Sequence, residues 1–284
     1  MSRHSSFLAA GRRHSVGVRR DRTVVAVGHD AAGECRTGRW TDVVAVAAGN
    51  VHTARNTGRS HTVGLRADGT VVATGWNGDG QCAVSGWADV VAVAAGWRTT
   101  LGVLADGTVT AVGRASEGQC DVTSWTEIVA VTCGDWHSVG LRADGTALAT
   151  GLDRRGQCAV DSWRGLVGVA AGYLHTVGLR GDGCVLATGD RTAGACAVED
   201  WRDVVAVAAG SRHTLGVTAS GRVLAAGDNS FGQCDVGVWR DVVAVAAGST
   251  HSLGLRADGT VVSAGNPADG RCDVDGWQNI ATPA

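Results

Sequence analysis

The sequence predicts an all-β fold, a seven-bladed β-propeller of 38-residue, four-stranded repeats whose ring is closed by the two termini. Three observations carry that expectation. Trp40, Trp87, Trp125, Trp163, Trp201, Trp239 and Trp277 are spaced by 38 residues, except for a first gap of 47, and a register Cys keeps the same beat from Cys35 to Cys272. Each unit holds four short strand signals separated by turn residues. The chain ends also complement each other: "WQNIATPA" after Val274 restarts a strand whose tail, "FLAA", precedes Gly11. A solenoid would instead need polar caps at both ends, and none is present. We therefore read residues 1–284 as one propeller domain.

Within a unit the first strand is the small-apolar run "VVAVAAG", suited to burial on both faces. The second and third, "HTVGLRA" and "TVVATG", flank an Asp-Gly pair, read as a two-residue hairpin with both turn residues at positive φ. Asp68-Gly69, Asp106-Gly107, Asp144-Gly145, Asp182-Gly183 and Asp258-Gly259 carry this signal, and Ser220-Gly221 approximates it. A short "QCAV" is the expected fourth strand before the Trp turn, and the register Trp residues are expected to wedge between blades. The second repeat departs from the pattern. "GNVHT" at Gly49 is followed nine residues later by "GRSHT" at Gly58, so a nine-residue insertion, 50–58, lies between its first two strands.

Composition narrows the function classes. The net charge of -2 argues against a generally basic nucleic-acid binder. All 25 basic residues are Arg. No segment approaches a signal peptide or the run of about 20 apolar residues that a membrane helix needs. The chain reads as a soluble, cytoplasmic monomer; a secreted form trimmed of its leader would read the same. Six histidines (His14, His61, His137, His175, His213 and His251) share one repeat position, with Thr99 in the seventh. Thr is a poor zinc ligand and no paired carboxylate accompanies them, so we expect turn caps bonded to backbone and no metal. The cysteines lack close Cys-x-x-Cys spacing and read as small packers in a reducing setting. No Ser-His-Asp order or phosphate loop stands out from the repeat, so neither catalysis nor a cofactor is expected.

The unit "AAGRSHTVGLRADGTVVATGWNGDGQ" resembles the repeat of the regulator of chromosome condensation family. Its short length is similar to bacterial members, the propeller-type β-lactamase inhibitory proteins among them. The resemblance implies a propeller that binds other macromolecules, whether in nucleotide exchange, chromatin contact, enzyme inhibition or UV-B sensing; fold alone does not choose among these.

Antiparallel connectivity puts the strand one–two and three–four connections on one face, and these are where the repeats differ most. Arg12, Arg13, Arg55, Arg59, Arg98 and Arg212 stand there against Asp135; Trp97, Trp136 and Tyr173 follow on successive blades, with Trp76 and Phe231 farther out. Arg and aromatic side chains are enriched at interface hot spots. We expect this face to bind another protein, through an acidic surface, with the insertion rising as a finger that carries His52, Arg55, Asn56 and Arg59. Nucleic acid or chromatin on the same Arg ring is the alternative, weakened by the interleaved acids Asp79, Glu117, Asp153, Asp190, Asp228 and Asp269. A Trp-based UV photoreceptor is a third reading. "GWRTT" at 96–100 resembles a photoreceptor motif, but it occurs once and the next blade's "GDWHS" shifts its Trp by one, which argues against a packed Trp cluster.

Overall fold

The computed structural model describes residues 6–50, 52 and 59–283. It contains seven antiparallel sheets in sequence order, each a blade of three strands. Blade 1 comprises β1 (Leu8–Ala10), β2 (His14–Val18) and β3 (Val24–Gly28), and blade 2 comprises β4 (Val43–Ala48), β5 (His61–Arg66) and β6 (Val71–Gly75). The first strands of blades 3 to 7 are Val90–Ala95, Ile128–Cys133, Leu166–Ala171, Val204–Ala209 and Val242–Ala247. Each first strand touches those of the blades on either side, and the seventh touches β1, so these strands surround a common axis.

The ring closes inside blade 1. Ile280 takes the place that Val43 holds in β4 and bridges Arg19, while β1 supplies the rest of the strand. Arg20 N donates to Asn279 O at 2.8 Å and Ala281 N to Val18 O at 2.8 Å. Leu8 and Ala10 share a core with Leu253, Leu255, Trp277 and Ile280. Both termini thus build the first strand, as the sequence implied.

Two local expectations are corrected. The "QCAV" stretch joins no sheet. Gly80 N bonds Asn77 O, Ala83 N bonds Gly80 O and Trp87 N bonds Val84 O, a run of turns that drops Val84, 2% exposed, into the interblade core. Gly80 sits at φ 83° and starts that course, which leaves no extended backbone for a ladder. The Asp-Gly turns are not two-residue loops either. Gly69 N bonds Arg66 O and Arg66 N bonds Thr70 O, with Gly69 alone at positive φ (82°). That is a three-residue loop closed by a left-handed Gly. Asp68 accepts from Thr70 N and Thr70 Oγ1.

The register Trp residues do wedge between blades. Trp40 lies on Gly64 of blade 2, where a Cβ would come within 2.8 Å of the ring, and packs with Val16, Val18 and Val24 of blade 1. A third expectation is corrected as well: the histidine rings bond side chains of the next blade and not the backbone of their own turn. His14 Nε2 meets Thr62 Oγ1 of the next blade at 2.8 Å, and that hydroxyl donates to Glu34 O at 2.7 Å. With its proton committed, the hydroxyl accepts from His Nε2–H. The same link joins His61 to Thr100, His137 to Thr176, His175 to Thr214, His213 to Ser252, and His251 back to Ser15. Side-chain staples therefore join six of the seven interfaces. At the seventh, Thr99 donates instead to Arg114 O within its own blade.

Candidate functional site

Tight turns and strand ends bring the two variable connections to one face, as the pairing of Arg98 with Asp79 shows across that face. The placement of the expected site residues divides into three groups. Arg12, Trp97 and Asp135 are buried at 5%, 8% and 2% exposure. Desolvation lowers Arg12 to about 10, with Arg13 and Arg271 adding repulsion, and Asp135 is raised by burial. Trp76, Arg98, Trp136 and Tyr173 are half-buried, as is Arg13, whose Nε lies 3.8 Å from Asp269 Oδ2. Arg59, Arg212 and Phe231 are exposed, and Arg55 and Asn56 lie outside the described residues.

Three blades bring an aromatic cluster together. The ring centroids of Trp97 and Trp136 are 4.3 Å apart at an interplanar angle of 70°. The shifted Trp therefore does pack, contrary to expectation. Arg98 adopts φ 64°, which changes the chain direction immediately after Trp97, and stacks 4.5 Å from the centroids of both Trp76 and Trp97. Arg114 stands over Trp97 at 5.2 Å and Trp136 at 5.3 Å, held by a two-point bond to Glu117 at 2.9 and 2.6 Å. That bond holds the Glu117 carboxyl down at about 2. Arg114 was not singled out in the sequence; the signal was its "RASE" loop, with Glu three residues on.

The insertion does not begin as a raised finger. Asn50 and His52 fold inward and reach five blades between them. Asn50 Nδ2 donates to Ala247 O at 3.4 Å, and its Oδ1 accepts from Ser211 and Ser249 of blades 6 and 7 at 3.4 and 3.0 Å. His52 crosses the other way. Its backbone N and its Nδ1 both donate to Asp135 Oδ2, at 2.8 and 2.7 Å, and its ring stacks on Tyr173 with a centroid separation of 4.4 Å. Trp97 lies edge-on to the imidazole at 6.0 Å and Trp136 lies tilted to it at 6.2 Å. Residues from blade 2 thus reach across the ring at this face. The inward course depends on donors and acceptors supplied by distant blades, so no local sequence signal announces it.

Beside the cluster, between blades 4 and 5, lies a cleft of ≈ 380 Å³ lined by Glu117, Trp136, Leu152, Arg154, Arg155, Tyr173 and Leu174. Arg154 and Arg155 are exposed on its rim, and neither forms an ion pair among the described residues. Arg212 lies 5.8 Å over Tyr173 and also lines a smaller pocket with Thr192, Asp228 and Ser230. Phe231 makes no ring contact with the cluster among the described residues. Among those residues no group of three or more His, Cys, Asp or Glu is placed to hold a metal ion. No helix is long and apolar enough to cross a membrane.

A model of the regulator of chromosome condensation (RCC1) repeat matches residues 56–81, 90–119, 128–157, 204–233 and 242–271, which together make up just over half of the chain. The fold is similar to that of yeast RCC1 (Prp20) in its structure bound to Kap60. The TM-score is 0.71 at 18% identity, over 99% of this chain and 85% of that one. It is also similar to Prp20p from Saccharomyces cerevisiae, described with its binding properties to Gsp1p and histones (TM-score 0.68, 18% identity, 97% and 86% covered). The ectodomain of the Arabidopsis thaliana receptor kinase ACR4 gives a TM-score of 0.64 at 21% identity, over 78% and 84% of the two chains. No curated protein matches the sequence.

Proposed function

The chain belongs to the regulator of chromosome condensation (RCC1) repeat family, and from that premise we propose that it is a non-enzymatic propeller that binds an acidic surface of another protein. The observation that carries the proposal is the cleft between blades 4 and 5. Its aromatic and aliphatic floor of Trp136, Tyr173, Leu152 and Leu174 meets a rim carrying Arg154 and Arg155. A half-buried aromatic floor with Arg at its edge is the composition of an interface hot spot. Two proteins of similar fold support the class of function: one was solved bound to Kap60, and one is described with its binding properties to Gsp1p and histones. Arg98, Arg114 and Arg271 are already matched by Asp79, Glu117 and Asp269, which favours a protein over a nucleic acid on this face.

The test is retention of proteins from a source lysate on wild type, Trp136→Ala and the Arg154→Glu/Arg155→Glu double variant. A protein held by wild type and lost by both variants, with unchanged circular dichroism, is the expected result. An identical set on all three overturns the assignment of the cleft. A labelled DNA duplex titrated at rising salt tests the alternative, because phosphate contacts would give a steep salt slope.

One observation favours a second reading. The Trp97–Trp136 pair with Arg114 over both rings is an arrangement able to couple indole absorption to a charged network. UV-B irradiation followed by size exclusion and tryptophan emission tests it; unchanged elution and emission would retire it.

A further inference from the structure

The surroundings of His52 have the form of an occupied ligand site. Asp135 is a carboxylate with 2% exposure, and both hydrogen bonds reaching its Oδ2 come from His52. Tyr173 supplies a stacking face, and Trp97 and Trp136 supply walls. These four residues come from blades 3, 4 and 5, whereas His52 arrives from the insertion in blade 2. The walls do not depend on the occupant: the indoles pack on each other and are backed by Arg98 and Arg114 from outside. Withdrawing His52 would therefore leave a formed slot with an unsatisfied buried acceptor at its base, an arrangement that favours any ligand able to restore the bonds.

We propose that this slot is a binding site for an imidazole-bearing ligand, and that the chain's own His52 is its resident occupant. The chemistry is read from the contacts. The slot takes a planar ring of imidazole size, stacked at 24° to Tyr173, with a ring N–H directed at a carboxylate. Asp135 accepts only, so the ring nitrogen facing it carries the proton. Arg12 acts electrostatically on Asp135, and Arg98 and Arg114 lie over the indoles. The second N–H on Oδ2 is the backbone amide of His52. A histidyl residue in a partner chain presents both donors, whereas a free heteroaromatic molecule presents only the ring. Tethering gives His52 an effective concentration in the millimolar range, which an external ligand has to exceed.

The experiment uses the full chain at pH 8 with two opened variants: His52→Gly, and a chain lacking residues 50–58, which restores the 38-residue spacing. Imidazole and N-acetylhistidine methylamide are titrated into each, with tryptophan emission and calorimetry as readouts. Both opened variants are expected to bind saturably, and at least tenfold more tightly than wild type. N-acetylhistidine methylamide should bind roughly tenfold more tightly than imidazole, a factor worth about 1.4 kcal/mol. Equal affinity for the two probes supports the slot and assigns it to a free heteroaromatic ring. Absence of saturable binding in both variants, with native circular dichroism, overturns the proposal. So does binding that survives Asp135→Leu in the His52→Gly background.

Discussion

Lowering the pH should unfold this protein within a narrow interval well above the range in which carboxylates titrate. Burial lowers His14 and His175 to about 4 and His61, His137 and His213 to about 3, and takes His251 well below its ordinary value of 6.5. A base depressed in the folded state binds its proton first in the unfolded chain. The stability tied to these rings is therefore complete above pH 6.5 and is lost as the pH falls toward the folded values. At pH 5.5 the unfolded chain holds roughly five more protons on the six rings, giving a slope of about 7 kcal/mol per pH unit. Against a total of about 5–15 kcal/mol for a domain, unfolding should fall between about pH 5 and 6. Carboxylates that are depressed in the fold, such as Glu117 at about 2, contribute only below their ordinary range near 4.5. The assay is urea unfolding by circular dichroism from pH 8 to 5.5, with proton uptake taken from the slope. His175→Thr, which copies Thr99 of blade 3, should remove about one proton from that uptake. Stability that stays flat from pH 7 to 5.5 would refute the neutral, buried staples, as would unchanged uptake in the variant.

Further predictions concern single contacts. A double-mutant cycle on His213→Ala and Ser252→Ala, linked at 2.9 Å, should return a coupling of about 1 kcal/mol in urea unfolding, whereas unrelated pairs on distant blades should be additive. Glu127 stands at φ 59°, so Glu127→Gly should raise stability by about 1 kcal/mol in thermal or urea melts. Gly216→Ala would place a Cβ 2.7 Å from the Trp201 ring and should cost about 1–3 kcal/mol, read as a lower midpoint with unchanged m-value.

The blade count and the split strand were legible because they rest on period: the Trp spacing and the two strand fragments need no knowledge of partners. The fourth strand was misread because four residues with an apolar tail look alike in a ladder and in a chain of turns; the positive φ at Gly80 decides between them. The variable face was legible as a set of loops, but not its layering. Trp97 is buried beside Trp136, and Arg98 turns back over it, through a left-handed backbone that Arg rarely adopts and its letter does not signal. The inward path of Asn50 and His52 depends on Ser211, Ser249, Asp135 and Tyr173, residues from blades 4 to 7 that only the closed ring brings within reach. The staples were half legible. The histidine column was plain, but its bonding partner is the hydroxyl one position after the next blade's histidine, a neighbour across a boundary that a single repeat cannot reveal.

The strand shared by the two ends also behaves as a clasp. Ile280 beside Arg19 is the last pairing that turns a curved stack of blades into a ring, and nothing in its chemistry identifies the chain that supplies it. Fastened within one molecule, it benefits from a local concentration in the millimolar range. Fastened between two, the same residues, in the same register, would link open rings head to tail, an exchange of identical elements that needs no new surface. Concentrated or briefly acid-opened protein is therefore where linked rings should first form, and substitutions at Ile280 would shift the balance between the single ring and the chain of rings.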